Sequence, residues 1–327
     1  MGVLDLQVRE QYVTTADGWS LRMRRTTSPH HFDPDTKPLL IVPGYGMNSF
    51  IFSYHPRGTS MERCLAEGGY EVWALDLRGQ GHSKPERSRY GESSLVNYAC
   101  VDLPAAIDRV LGATKTRART LTLVGCSLGG SIAYGYLAHD KRPRVSEMIA
   151  MGAPLVWNEI HPLIKVAFSS PTIAGAFRMS GTRTLVKTAF PILERVPSLL
   201  ALYMNASTID TQRMGEMSQT VEDPEPSVNR DIAIWMRDRD LRMRGVNVTE
   251  AMRRQTMPLL VVVSNQDGIV PERTAVAAAD VWGGDDVEIL RVGDERNWYA
   301  HANLFVADDA PRLVFDPIIR WLRRHAA

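Results

Sequence analysis

Short apolar runs alternate along this chain with longer stretches of helical periodicity. The runs are Pro38–Val42, Glu71–Leu75, Leu121–Val124, Met148–Met151, Leu259–Val263 and Val287–Val292. They are close to continuously apolar and lack the in-out alternation of a half-solvated strand. That pattern predicts strands covered on both faces, hence an α/β protein with a mainly parallel sheet and helices on each side. Helical spacing falls around Met61–Ala66, Leu95–Leu111, Ser127–His139 and Pro311–His325, the last with an apolar stripe of Leu313, Ile318, Ile319 and Leu322. Ahead of the first run, Leu6–Val8 and Ser20–Met23 flank Asp17-Gly18, which predicts a β-hairpin.

The rhythm breaks between about Pro154 and Thr256, where no segment reads as a convincing strand. Helix-like segments and several prolines occupy this region, and eight of the chain's fourteen methionines fall from Met179 to Met257. The expected organisation is a sheet domain formed by 1–153 and 256–327, with a helical cap inserted at 154–255. Methionine is flexible and polarizable, so the cluster suits either an adaptable apolar binding surface or gap-filling between loosely packed helices. Glu222-Asp223-Pro224-Glu225-Pro226 reads as an acidic loop inside the cap.

Composition narrows the classes without choosing among them. A length of 327 residues is ample for a buried core, and the formal net charge of +1 favours neither nucleic acid nor an anionic membrane as the main partner. Three cysteines, Cys64, Cys100 and Cys126, form no spaced framework and read as reduced thiols. Residues 1–25 lack the apolar core of a signal peptide, and no stretch reaches the roughly 18 apolar residues of a membrane span. The expectation is a cytoplasmic enzyme with no integral membrane association. Its oligomeric state is not legible in the sequence.

The chemistry concentrates at Gly125-Cys126-Ser127-Leu128-Gly129, which follows a strand-like run and opens a helical pattern. A serine on such a strand-to-helix turn takes a strained backbone that pushes its hydroxyl outward. Glycines two residues to either side remove the side chains that would collide there. Gly130 follows, and Gly129, Ala133 and Gly135 leave the helix small residues for close packing on a sheet. A serine hydroxyl needs a base to take its proton, and the base needs a carboxylate to hold its tautomer. Asp267 stands just past Leu259–Val263, and His301 lies after the last strand-like run, giving the chain order Ser, Asp, His. Asp294 and Glu295 rank behind Asp267 as acids, and Gly152-Ala153-Pro154 offers no carboxylate after the preceding strand. Of the other histidines, His30, His31 and His139 sit in polar stretches, whereas His82 and His161 are placed to approach a pocket. Two oxyanion donors are expected: the Leu128 amide at the helix start, and the Tyr45 amide in the loop Pro43-Gly44-Tyr45-Gly46-Met47-Asn48.

With these residues, the chain resembles the α/β-hydrolase superfamily over roughly 35–155 and 256–325. Asp76-Leu77-Arg78-Gly79-Gln80-Gly81-His82-Ser83 matches a loop common in that superfamily. Tyr70–Trp73 and Ser53–Pro56 resemble its monoglyceride-lipase and acid-lipase branches. The final third is similar to polyhydroxyalkanoate synthases, but those carry Cys at the elbow, where this chain has Ser127 with Cys126 one place early and directed into the core. A serine in place of an elbow Asp argues against epoxide hydrolase and haloalkane dehalogenase chemistry. The resemblance implies an eight-stranded sheet with one antiparallel strand and no cofactor or metal; with the Ser127, Asp267 and His301 candidates and an apolar cap, the expected activity is a serine hydrolase of small-molecule carboxylic esters with medium-chain or lipid-like acyl groups. An acyltransferase or thioesterase using the same triad is the alternative, with Arg237-Asp238-Arg239-Asp240-Leu241-Arg242-Met243-Arg244 weighed as a contact for an anionic carrier against a self-paired, solvated helix face. A receptor or scaffold with a vestigial site is the remaining class.

Overall fold

The computed structural model describes residues 6–86, 93–142, 144–178, 180–185, 188, 200–210 and 213–326. The predicted hairpin forms β1 (Gln7–Thr14) and β2 (Trp19–Thr27). The apolar runs form β3 (Leu39–Val42), β4 (Val72–Leu75), β6 (Leu121–Cys126), β7 (Val145–Met151), β10 (Leu259–Ser264) and β11 (Val287–Val292). Strands β5 (Lys84–Pro85), β8 (Arg242–Met243) and β9 (Val246–Asn247) are two residues each and have no apolar run to announce them.

Eight strands lie in the order β1-β2-β4-β3-β6-β7-β10-β11, and β5 pairs with the start of β2. Strand β2 is antiparallel to both β1 and β4, while every pair from β4 to β11 is parallel, so β2 alone runs against the other seven. This is the α/β-hydrolase sheet that the resemblance implied. Successive residues of each central strand feed opposite cores. Leu40, Val42, Leu123, Met148, Val261 and Val263 join one cluster, and Leu39, Ile41, Val124, Ile149, Leu260 and Val262 join the other. Burial on both faces explains the unbroken apolar runs, because neither side of these strands meets water.

The first core is covered by α1 (Leu103–Ala113), which continues from Leu95–Asn97 through a π-helical turn, and by α2 (Leu128–His139). The segment between β7 and β10 contributes α3 (Pro162–Ala167), α4 (Pro171–Ala176), α5 (Pro226–Asp238) and α6 (Val248–Met252). Among the described residues it adds no strand to the main sheet. The second core is covered by the helix Met61–Glu67 and by α7 (Asp316–Arg324), which buries Ile318, Ile319, Trp321 and Leu322. Met204, Met217, Met236, Met243 and Met252 are buried members of the two cores, so these methionines fill space between elements. Met179 and the side chain of Met214 lie outside the described residues. No helix among the described residues is long and apolar enough to cross a membrane.

The segment Arg237–Arg244 is not the continuous helix face weighed from its charges. Helix α5 ends at Asp238, Arg239 and Arg244 take positive φ, and β8 follows at once. Leu241 and Met243 are both buried, so the apolar positions recur every second residue, which suits an extended strand rather than a helix. Arg237 pairs with Asp238, and Arg239 donates to the Trp157 carbonyl.

A buried ion network fixes the loop after β4. Arg78 is fully buried and reaches Asp102 at the head of α1 (Nη2 to Oδ1, 2.5 Å) and Asp17 in the hairpin turn (Nη1 to Oδ2, 2.6 Å). It also lies over the Trp19 ring, 5.5 Å from the centroid. Asp102 is equally buried, so removing its carboxylate strands a desolvated guanidinium with one half-exposed partner. Asp102→Ala is therefore expected to lower unfolding stability by about 3–5 kcal/mol, read from the urea midpoint at constant m-value. Asp102→Asn, which keeps a hydrogen-bond acceptor, should cost less.

Candidate active site

Strand order locates the site before any side chain is considered. From β3 the chain crosses to β4 on one side, and β6 then lies against the other side of β3. Connections leave these two strands in opposite directions, so a crevice opens beyond the carboxyl ends of β3 and β6. The loop Pro43–Asn48 leaves β3 there, and Ser127 caps β6 at the same edge.

Ser127 has φ 54° and ψ −125°, the left-handed backbone expected of a strand-to-helix elbow. For a non-glycine residue this costs about 1–3 kcal/mol, which the surrounding packing must offset. Its amide donates to the Met151 carbonyl at the end of β7 (2.8 Å), and its carbonyl accepts from the Gly130 amide (2.9 Å). A Cβ on Gly125 would stand 2.4 Å from the Gly130 Cα, and one on Gly129 would stand 2.2 Å from the Val42 carbonyl oxygen. Both contacts are with backbone, so neither glycine can carry a side chain while α2 stays this close to β3 and β6. Cys126 points away into the second core, where burial pushes its thiol up, so it is unsuited to serve as a nucleophile.

Asp267 and His301 come together from loops separated in sequence. The Asp267 Oδ2 accepts from His301 Nδ1 at 2.6 Å, and both residues are buried. Asp267 Oδ1 accepts from the Ile269 and Val270 amides, each at 2.8 Å, so both carboxylate oxygens are held. The imidazole lies over Gly152, the residue after the strand end that receives the Ser127 amide. A Cβ there would be 3.1 Å from His301 Cε1 and 3.5 Å from Asp267 Oδ2. The carboxylate bond uses Nδ1, the ring nitrogen nearer the backbone, and not Nε2. Asp294, the second-ranked acid, is exposed and accepts from the Arg296 and Asn297 amides within its own turn, and Glu295 is exposed as well.

Several residues that position this pair were not singled out from sequence. Asn265 accepts from the Tyr299 amide (2.9 Å) and donates to the Asp294 carbonyl (2.9 Å), lacing the His301 loop to the Asp267 loop. Asn303 is fully buried; its Oδ1 accepts from the Ala300 and Asn205 amides, and its Nδ2 donates to the Asn205 carbonyl and the Thr208 hydroxyl. Such residues carry no local signal, because asparagines two to five positions from a candidate site are common in loops. Tyr203 tilts against the imidazole with ring centroids 6.3 Å apart. Burial and the Asp267 charge push its hydroxyl up to about 12, so it stays neutral.

The loop after β3 presses against the elbow: a Cβ on Gly44 would sit 2.9 Å from Ser127 Cβ. Tyr45 is the next residue of this loop. Leu128 is the first residue of α2, so its amide has no intrahelical acceptor and stands at the positive end of the helix dipole. The Tyr45 side chain turns to the inserted segment, with its ring edge-on to Phe168 at 6.2 Å and its hydroxyl donating to Asn229 on α5. Burial pushes that hydroxyl up to about 12, keeping it a donor. A cavity of about 10 Å³ beside Tyr45 and Leu128 is walled by Val228, Gln80 and Glu225, whose carboxyl burial holds above its ordinary range.

His139 and His161 have structural partners, and His82 lies in a separate cavity. His139, read as solvated, is half-buried and joins the Gly135 carbonyl to the Met243 carbonyl of β8. His161 Nδ1 accepts from the Leu163 amide at the start of α3 (3.3 Å). His82 lines a polar cavity next to Asp76, separate from the imidazole and elbow.

A family model for the alpha/beta hydrolase fold matches residues 37–185. Triacylglycerol lipase 2 of Arabidopsis thaliana is 21% identical over 370 residues, covering 99% of this chain and 86% of that protein. A probable lipase of Schizosaccharomyces pombe is 26% identical over 150 residues, 42% of this chain, and the match spans only 32% of the yeast protein. Among solved structures, an esterase from Exiguobacterium antarcticum superposes with a TM-score of 0.67 at 16% identity, covering 96% of this chain and 100% of that one. With the sheet order and elbow described above, the chain has the α/β-hydrolase fold.

The tight contact beneath Ser127 has a direct test. Gly129→Ala is expected to destabilise the protein by at least about 1–3 kcal/mol through overpacking against the Val42 carbonyl, measured by urea denaturation.

Proposed function

We propose that this protein hydrolyses carboxylic esters through an acyl-enzyme formed on Ser127. The observation that carries the reading is the buried Asp267–His301 hydrogen bond, set against the strand end that also receives the strained Ser127. In the proposed cycle, His301 Nε2 removes the Ser127 proton as Oγ attacks the ester carbonyl. Asp267 holds the imidazole in the Nδ1–H tautomer and stabilises the imidazolium that forms. The amides of Leu128 and Tyr45 donate to the oxyanion, a contribution of about 3–4 kcal/mol for each donor. The imidazolium then returns its proton to the leaving alcohol, and a water activated by the same nitrogen releases the acid.

The name of the Arabidopsis relative, a triacylglycerol lipase, supports acyl esters as the substrate class. Residues 154–255 act in this reading as a cap over the serine, with Phe168 and Val228 supplying apolar wall for an acyl group of medium length. The carrier reading loses its support, because Arg237–Arg244 folds as a helix end and a short hairpin whose Arg237 is already paired.

Ser127→Ala should remove turnover of p-nitrophenyl butyrate while leaving the thermal melt intact, and it should abolish labelling by a fluorophosphonate probe. Turnover that persists in this variant overturns the mechanism, and absence of labelling in the native chain favours a vestigial site. Asp267→Asn, whose Oδ1 still accepts from the Ile269 and Val270 amides while its Nδ2 donates to His301 Nδ1 and favours the wrong imidazole tautomer, should lower kcat by about 10³–10⁴-fold with KM little changed.

A further inference from the structure

The loop that carries Tyr45 is held as much by the inserted segment as by its own domain. Met47 forms an antiparallel bridge with Val221. Around it, the Glu222 amide donates to the Gly46 carbonyl (2.8 Å) and the Asn48 amide donates to the Thr220 carbonyl (3.0 Å). Asn48 Nδ2 donates to the Gln219 carbonyl (2.9 Å) and to Glu222 Oε1. The same Glu222 oxygen accepts from the Gly81 amide (3.0 Å) and from Arg183 Nη2 (3.0 Å). One carboxylate oxygen thus joins the loop after β3, the Asp76–Ser83 loop and the inserted segment.

We infer that Glu222 is a positioning residue that clamps the loop Pro43–Asn48 and so holds the Tyr45 amide toward the oxyanion. The inference rests on the ester-hydrolase reading and adds to it that oxyanion geometry depends on the seating of the cap. The amide in question lies between two fixed points, Gly44 against Ser127 and Gly46 on the Glu222 amide. Glycine at 46, with φ 61°, lets the loop turn into this ladder. Within the clamp, the bonds to Asn48 and Gly81 outweigh the ion pair. Arg183 is half-exposed, and a cavity of about 150 Å³ lined by Arg183, Asn48 and Gly81 brings solvent to the pair. An exposed ion pair contributes little, whereas a carboxylate bound by an amide and a loop side chain restrains both loops.

The test compares Glu222→Ala, Glu222→Gln and Arg183→Ala on p-nitrophenyl butyrate, with Ser127→Ala as the reference for the site itself. Glu222→Ala should lower kcat by about 10–100-fold, short of or equal to the loss of one oxyanion donor, with KM within about threefold of native. Its affinity for a trifluoromethyl ketone, which forms a tetrahedral oxyanion on serine, should fall in proportion to kcat. Glu222→Gln keeps an acceptor for Asn48 and Gly81 and should recover most of the rate, and Arg183→Ala should stay within about threefold of native. Unchanged kcat in Glu222→Ala, a fall in kcat without loss of ketone affinity, or no recovery in Glu222→Gln overturns the clamp. If Glu222→Ala does not fold, Asn48→Ala cuts the same link from the other side, and the same readouts decide. Activity that survives Ser127→Ala removes the site reading instead, so the two failures are distinguishable.

Discussion

The site depends on one steric constraint: the first turn of α2 lies against the ends of β3 and β6 with no side chain between them. Backbone meets backbone at Gly125, Gly129 and Gly130, and this closeness forces the intervening Ser127 into a left-handed conformation. The strain is the consequence of packing, and the outward hydroxyl is the consequence of the strain. The same approach places the Leu128 amide at the helix start and brings Gly44 into contact with the serine Cβ. Ser127, the helix dipole and the loop are set by a single close contact, so they are not independent features that happen to coincide.

Around that point, polar side chains wire loops together where the sheet ends. Asp267 is held through both oxygens, Asn265 laces its loop to that of His301, and Asn303 ties the His301 loop to residues 205–208. Arg78 with Asp102 and Asp17 does the same for the loop after β4. These bonds replace the hydration that loop backbones lose at a buried crevice, and each unmade bond there would cost more than a made one contributes. The inserted segment belongs to this wiring. It grips the loop after β3 through 219–222 and the Tyr45 side chain through Phe168 and Asn229, so it shapes the loop beside Ser127.

Covered strands and amphipathic helices were legible in the chain because burial on two faces, or on one stripe, writes itself into residue order. Leu259–Val263 and Leu121–Val124 are strands where their apolar runs predict them, and Ile318, Ile319 and Leu322 face the core as their spacing predicts. The elbow was legible for a related reason: a steric requirement for glycine at two positions around a serine is local. Where the signal was charge rather than burial it misled. Arg237–Arg244 looked like a helix face, yet Leu241 and Met243 pull it into a hairpin, and the two-residue strands β5, β8 and β9 carry no periodicity to read.

The sequence by itself determined the layered α/β class, the strained serine turn and the candidates Asp267 and His301, since each follows from short-range pattern or chain order. Only the tertiary structure decided that Asp267 rather than Asp294 meets the imidazole, because Asp294 closes its own turn while Asp267 sits beneath the ring. It alone joined Glu222 to Asn48 and Gly81, residues 174 and 141 positions away along the chain. Hydrogen bonds between distant loops leave no periodic trace. They are fixed by where the sheet delivers its loops, and that is a property of strand order rather than of any local run of residues.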